Sequence, residues 1–193
     1  MSRLILKPLI LMLVACPFRH ADALEPCSQF LEKYAQVVER AAGTAQNNPS
    51  STTVTTLPAF RPESALKIAN DTVSLIEFNS SIWYEGLARD GVSPKLGLKT
   101  STARLPPSLA TRLTQTIAKH IGRSKPSGRP GLDGVFYRFT TPEGGCAQTW
   151  SPEADSDDGK LVQVLNLLEA HARSGGAPSP TQERAISALL DAL

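Results

Sequence analysis

The chain has 193 residues, with 20 basic and 18 acidic side chains and only three histidines. A balance this close to neutrality excludes a nucleic-acid binder built on a positive face that neutralises phosphates. No segment is uniformly apolar over the roughly 20 residues a membrane-spanning helix needs.

Residues 1–23 carry the marks of an export signal. Arg3 and Lys7 form a positive n-region, Pro8 to Ala15 an apolar core, and small residues follow. Two processing sites compete. Ala21-Asp22-Ala23 is an A-x-A site that releases a chain beginning at Leu24, whereas Leu13-Val14-Ala15-Cys16 resembles a bacterial lipobox, which would end the signal at residue 15 and make Cys16 a lipidated N-terminus. Cleavage after residue 23 removes Arg3, Lys7, Arg19 and Asp22, so 17 basic (20 − 3) and 17 acidic (18 − 1) residues remain. The same cut leaves Cys27 and Cys146, 119 residues apart, and in an oxidising compartment two such cysteines are expected to form one disulfide.

Residues 28–42 place Phe30, Leu31, Tyr34, Val37, Val38 and Ala41 at helical spacing between Pro26 and Gly43, which predicts an amphipathic helix. Gln46 to Pro62 reads as loop, apart from a short edge strand over Thr52–Leu57. Residues 63–91 admit two readings. Alternation of Leu66, Ile68, Val73 and Leu75 gives a hairpin turning at Asn70-Asp71, and β-branched richness favours it over a helical stripe through Leu66, Ala69, Val73 and Ile76. Ile82 to Asp90, closed by Gly91, reads as a short helix.

Pro106-Pro107-Ser108 opens a helix through Ile121 with Gly122 as its stop. A loop containing Arg123, Lys125 and Arg129 leads to a hairpin of Val135–Thr140 and Cys146–Trp150. Ser156, Asp157 and Asp158 then cap a helix reaching about Ala172. Residues 175–179 form a hinge, and Pro180 starts a last helix within 180–193. The expected architecture is α+β, with about four helices on a small antiparallel sheet in one domain, 24–174, stapled by Cys27 and Cys146.

Leu132-Asp133-Gly134, an aromatic strand, Cys146, Trp150-Ser151-Pro152 and an apolar helix together resemble small exported bacterial envelope proteins that carry no assigned function. The resemblance covers about forty residues. It implies a hairpin followed by a helix, and no chemistry.

Catalytic and metal motifs are thin. Ser64-Ala65-Leu66-Lys67 fits S-x-x-K, in which a lysine one helical turn from a serine acts as its base, and Lys99-Thr100-Ser101 is a distorted K-T-G, but no S-D-N intervenes. His120 and His171 each fall in the last turn of an expected helix, where the dipole favours them, and no H-E-x-x-H or C-x-x-C accompanies them. The acidic run Glu153, Asp155, Asp157 and Asp158 fails as a calcium loop, because Asp158 stands where glycine is needed and Val164 where the bidentate glutamate is needed. Trp83, Tyr84 and Glu85 form an aromatic cluster suited to an interface, although burial of Trp83 is the stronger expectation.

The sequence therefore points to an exported, periplasmic or secreted, non-catalytic protein without a cofactor. It would bind another envelope or secreted protein, as an inhibitor or immunity-type partner, and touch the membrane only through a lipid on Cys16. The competing expectation is a small periplasmic hydrolase using Ser64 or a pair of carboxylates.

Overall fold

The computed structural model describes residues 24–44, 51–87, 97–126 and 133–193. The expected export segment with Cys16, residues 88–90 of the helix expected over 82–90, and Arg129 lie outside these residues. No helix of the described residues is long and apolar enough to cross a membrane.

Seven strands form one antiparallel sheet in the order β1-β7-β6-β2-β3-β4-β5. They are β1 (Glu25–Pro26), β2 (Thr52–Pro58), β3 (Ser64–Ala69), β4 (Thr72–Phe78), β5 (Leu98–Arg104), β6 (Val135–Thr140) and β7 (Cys146–Trp150). Helices α1 (Gln29–Ala41), α2 (Pro107–Gly122), α3 (Asp157–Ser174) and α4 (Pro180–Asp191) complete the α+β fold, with a π-helical turn at Trp83–Leu87. From β2 to β5 the chain runs as a meander. Helix α2 then carries it back across the sheet to β6, which pairs with β2.

Strand periodicity of two divides the helices between the faces. Val54, Leu66, Ile68, Val73, Leu75, Phe139 and Ala147 point to one face, where they meet Leu109, Leu113 and Ile117 of α2, Leu161, Leu165 and Leu168 of α3, and Ile186 and Leu190 of α4. On the other face Leu57 and Phe78 meet Tyr34, Ala35 and Val38 of α1 together with Ile82. Thus, among the described residues, α1 is the one α-helix on one face, and the other three α-helices cover the opposite one.

The hairpin of β3 and β4 turns where alternation predicts, with Asn70 in the left-handed region at φ 53°. Thr52–Leu57 is a correction. It belongs to a central strand paired on both sides, not an edge strand. Thr52, Thr53 and Thr55 are buried, and Thr55 donates its hydroxyl to Glu39 of α1 at 3.4 Å. The sheet is also larger than expected, because β5 supplies an edge strand.

Cys27 and Cys146 form a disulfide with Cα atoms 5.6 Å apart, joining the start of α1 to β7. Beside it, Gln148 Nε2 donates to Ser28 Oγ at 3.2 Å, and the Ser28 amide donates to Gln148 Oε1 at 3.3 Å. Ser28 makes no side-chain capping bond to α1. At α3, in contrast, Ser156 Oγ accepts from the Gly159 amide at 3.0 Å, as a cap should. Helix α4 is docked on the domain, and beyond its end Lys119 of α2 and Lys160 of α3 donate to the carbonyls of Leu193 and Ala192 at 3.2 and 3.3 Å.

Candidate functional site

Where α1, the end of β2, the π-helical turn and the start of β6 converge, an aromatic cleft of about 280 Å³ opens. It is lined by Leu31, Tyr34, Leu57, Pro58, Ala59, Phe60, Trp83, Tyr84, Asp133, Gly134 and Phe136. Phe60 is 73% exposed, Tyr84 53% and Trp83 50%, so three of the four large exposed apolar side chains among the described residues share this cleft. The exposure of Trp83 corrects the expectation that it is buried. Glu85 is exposed on the same turn, outside the lining.

A buried carboxylate fixes the cleft. Glu63, 1% exposed, accepts the hydroxyl hydrogen of Tyr34, the Ser81 hydroxyl at 2.8 Å, and the backbone N–H groups of Ile82 and Trp83 at 2.8 and 3.2 Å. These donors compensate a charge that burial would otherwise penalise heavily. Burial, then the bond to Glu63, raises the Tyr34 phenol above its ordinary range, so Tyr34 stays a neutral donor. Its ring meets Trp83 edge to face, 5.2 Å between centroids at 66°. The Tyr84 hydroxyl donates to the Ala59 carbonyl at 2.9 Å, and the Ala59 amide donates to the Gly134 carbonyl at 2.8 Å. The aromatic side chains thus stand on a hydrogen-bonded frame.

Beneath α1, Arg138 is 4% exposed and holds two acids. Its Nη1 and Nη2 reach Glu32 at 2.6 and 3.1 Å, and its Nε lies 3.0 Å from Glu39. The hydrogen bond from Arg138 lowers Glu32 below the ordinary carboxylate value, while burial raises Glu39 above it. On the opposite face Arg173 lies 3.0 Å from both Glu77 and Glu169, and burial raises Glu169. Each carboxylate pair is therefore bridged by an arginine, and neither lines the aromatic cleft.

The S-x-x-K expectation is corrected by geometry. Ser64 and Lys67 lie three apart on β3, so they face opposite sides of the sheet and the lysine cannot serve the serine as a base. Lys99-Thr100-Ser101 lies on the edge strand β5. His120 and His171 occupy the last turns of α2 and α3, both buried. The His171 Nε2 is 2.8 Å from the Arg104 carbonyl, which ties the ring to β5. Burial lowers His120 from its ordinary value. Among the described residues no group of three or more histidine, cysteine, aspartate or glutamate side chains could hold a metal ion.

A second cleft of about 340 Å³ lies between α2 and the ends of β2 and β3. It is hydroxyl- and amide-rich, with Thr52, Thr111, Thr114, Thr141, Asn70, Gln115 and Glu143 in its wall. Thr114 already donates to the Thr111 carbonyl of its own helix at 2.9 Å.

Sequence reasoning reached Trp83 and Tyr84 through their aromatic character but missed Phe60, Phe136, Asp133 and Glu63. They come from two segments far apart in the sequence, residues 60–63 and 133–136, and neither is continuous with Trp83 and Tyr84. No protein-family model, curated protein or solved structure matches the chain.

Proposed function

We propose that the chain is an exported, non-catalytic binding protein, and that its aromatic cleft takes a segment of another envelope or secreted protein in the manner of an inhibitor or immunity partner. The observation that carries this reading is the grouping of the exposed Phe60, Trp83 and Tyr84 on one concavity, with Trp83 held by Tyr34 and Glu63 and Tyr84 by the Ala59 carbonyl. Exposed aromatic residues of this kind are the usual anchors of protein interfaces, and their fixed frame reduces the ordering cost of association. The export segment over residues 1–23 supports a partner in the envelope or outside the cell. The hydrolase alternative lacks support from the Ser64–Lys67 pair, which strand geometry separates.

The test is affinity capture from the native envelope fraction with the tagged chain and with a Phe60→Ala, Trp83→Ala double variant. The wild type should recover one partner in near-equal amount. The variant should weaken its hold by roughly 30-fold or more, the loss of an anchor of about 2 kcal/mol, with an unchanged far-ultraviolet circular dichroism spectrum. A partner held equally by both proteins, or none held by the wild type, would overturn the reading.

A further inference from the structure

We infer that the group the cleft anchors is an arginine side chain carried by the partner. The inference rests on the partner-binding reading above and adds the chemistry of recognition. Five aromatic rings, Tyr34, Phe60, Trp83, Tyr84 and Phe136, line the cleft, and Asp133 is the charged member of the described lining, with no lysine, arginine or histidine beside it. Aromatic faces carry negative charge density and attract a cation placed within about 6 Å of the ring centre. Asp133 adds a full negative charge at the same mouth, and Glu85 extends the acidic character along the exposed turn. Arg61, next in sequence to Phe60, is not among the lining residues, and it acts on Tyr137 and Glu169, on the sheet face that α3 covers.

Hydrogen-bonding capacity sharpens the choice among cations. Both phenols have given their hydroxyl hydrogens to the frame, Tyr34 to Glu63 and Tyr84 to the Ala59 carbonyl. The Tyr34 oxygen is shut in with Glu63, so what the exposed Tyr84 and Asp133 offer an occupant is acceptor oxygen, which calls for a ligand rich in donors. A guanidinium brings five N–H donors and no acceptor, is planar, and stacks on aromatic faces. A quaternary ammonium satisfies the rings but gives nothing to the acceptors. The volume of about 280 Å³ suits one long side chain with its flanking backbone, at the lower limit of small-molecule sites.

The test monitors the Trp83 indole N–H resonance of the isotopically labelled chain, assigned with a Trp83→Phe variant, during titration with N-acetyl-arginine amide. N-acetyl-citrulline amide, its neutral isostere, and choline serve as comparison probes. The arginine amide should shift the resonance saturably with a Kd in the millimolar range, citrulline amide and choline should bind at least about tenfold more weakly, and Asp133→Asn should weaken the arginine amide by about tenfold. Equal binding of the citrulline probe, tighter binding of choline, indifference to Asp133→Asn, or no shift with the arginine amide would each overturn the inference. Failure here with a partner still captured through Phe60 and Trp83 would remove the arginine and leave the partner reading standing. Failure of that capture as well would remove both.

Discussion

Glu63, on the loop before β3, accepts the hydroxyl hydrogen of Tyr34 from α1 in a site closed to solvent, and so ties the α-helix on that face to the π-helical turn that carries Trp83. Replacing Glu63 with alanine would leave the donors of Tyr34, Ser81, Ile82 and Trp83 without their acceptor. Unsatisfied buried donors cost about 1 to 3 kcal/mol each where they stay dry. Partial relaxation brings the expected loss to on the order of 3 kcal/mol, read as a fall in the urea midpoint, with loss of near-ultraviolet signal from Trp83. A variant as stable as the wild type would show that the carboxylate does not hold the turn.

The 119-residue span closed by Cys27 and Cys146 restricts the unfolded chain strongly. On the chain-entropy model a loop of that size is stabilised by about 4 to 5 kcal/mol. The Cys27→Ala, Cys146→Ala variant should therefore melt well below the wild type in non-reducing buffer and close to the reduced wild type in the presence of a thiol reductant. An unchanged melting temperature would contradict this.

Burial raises Glu39 above the ordinary value of 4.5, so the folded state binds its proton more tightly than the unfolded chain. The contribution of this group to stability is greatest below 4.5 and is lost as pH rises from 4.5 through the raised folded value. Glu32, lowered by its bond to Arg138, acts in the opposite sense: its contribution is present above 4.5 and lost as pH falls through the lowered value. Glu39→Gln isolates the first effect. The unfolding free energy of the wild type minus that of the variant should decline as pH rises above 4.5 and then level. Urea titrations at stepped pH supply the curve, and a flat or rising difference would refute the assignment.

Gly159, in the first turn of α3, lies under the backbone of residues 153 and 154. A Cβ added there would stand 1.9 Å from the Glu153 carbonyl oxygen and 2.9 Å from the Ala154 Cα, both main-chain atoms with little room to move. Gly159→Ala, which would favour a helix on propensity alone, should instead destabilise the protein by about 2 to 3 kcal/mol through overpacking. Thermal unfolding of this variant checks the point, and any gain in stability would show that the loop yields freely.

The parts of the fold that could be read from the sequence were those marked by a single burial period or by apolar alternation with turn residues. The helices begun by Pro107, Asp157 and Pro180 obey the first rule, whereas the 135–150 hairpin and the turn at Asn70-Asp71 were legible from apolar alternation in the sequence and from their turn residues. Strand β5 escaped because, of its seven residues, only Ala103 is buried, so Lys99, Thr100, Ser101 and Thr102 carry no alternation of apolar and polar side chains. Strand β2 passed for an edge because threonines fill it, and only the fold reveals that Thr53 and Thr55 are buried between the sheet and α1. The cleft was half legible. Trp83 and Tyr84 are conspicuous in any reading, whereas Phe60, Asp133 and Phe136 become neighbours only when β2 pairs with β6, and nothing in the sequence marks Glu63 as a buried acid.

The two faces of the sheet are covered unequally, and the shortfall on the α1 side can be sized from the width of a helix. Seven strands spaced about 4.8 Å apart make a surface some 30 Å wide, while one helix with its side chains covers about 10 Å. On that side the edge strand β5 accordingly presents Leu98, Thr100, Thr102 and Arg104 to solvent, and its polar side chains tolerate that. At the cleft the margin of the sheet is made by Leu57, which is buried, and Phe136, which is half-buried, and both are apolar. The roof over this margin is made of turns, Phe60 from one and Trp83 and Tyr84 from another, and a roof of turns leaves an opening where a second helix would have left none.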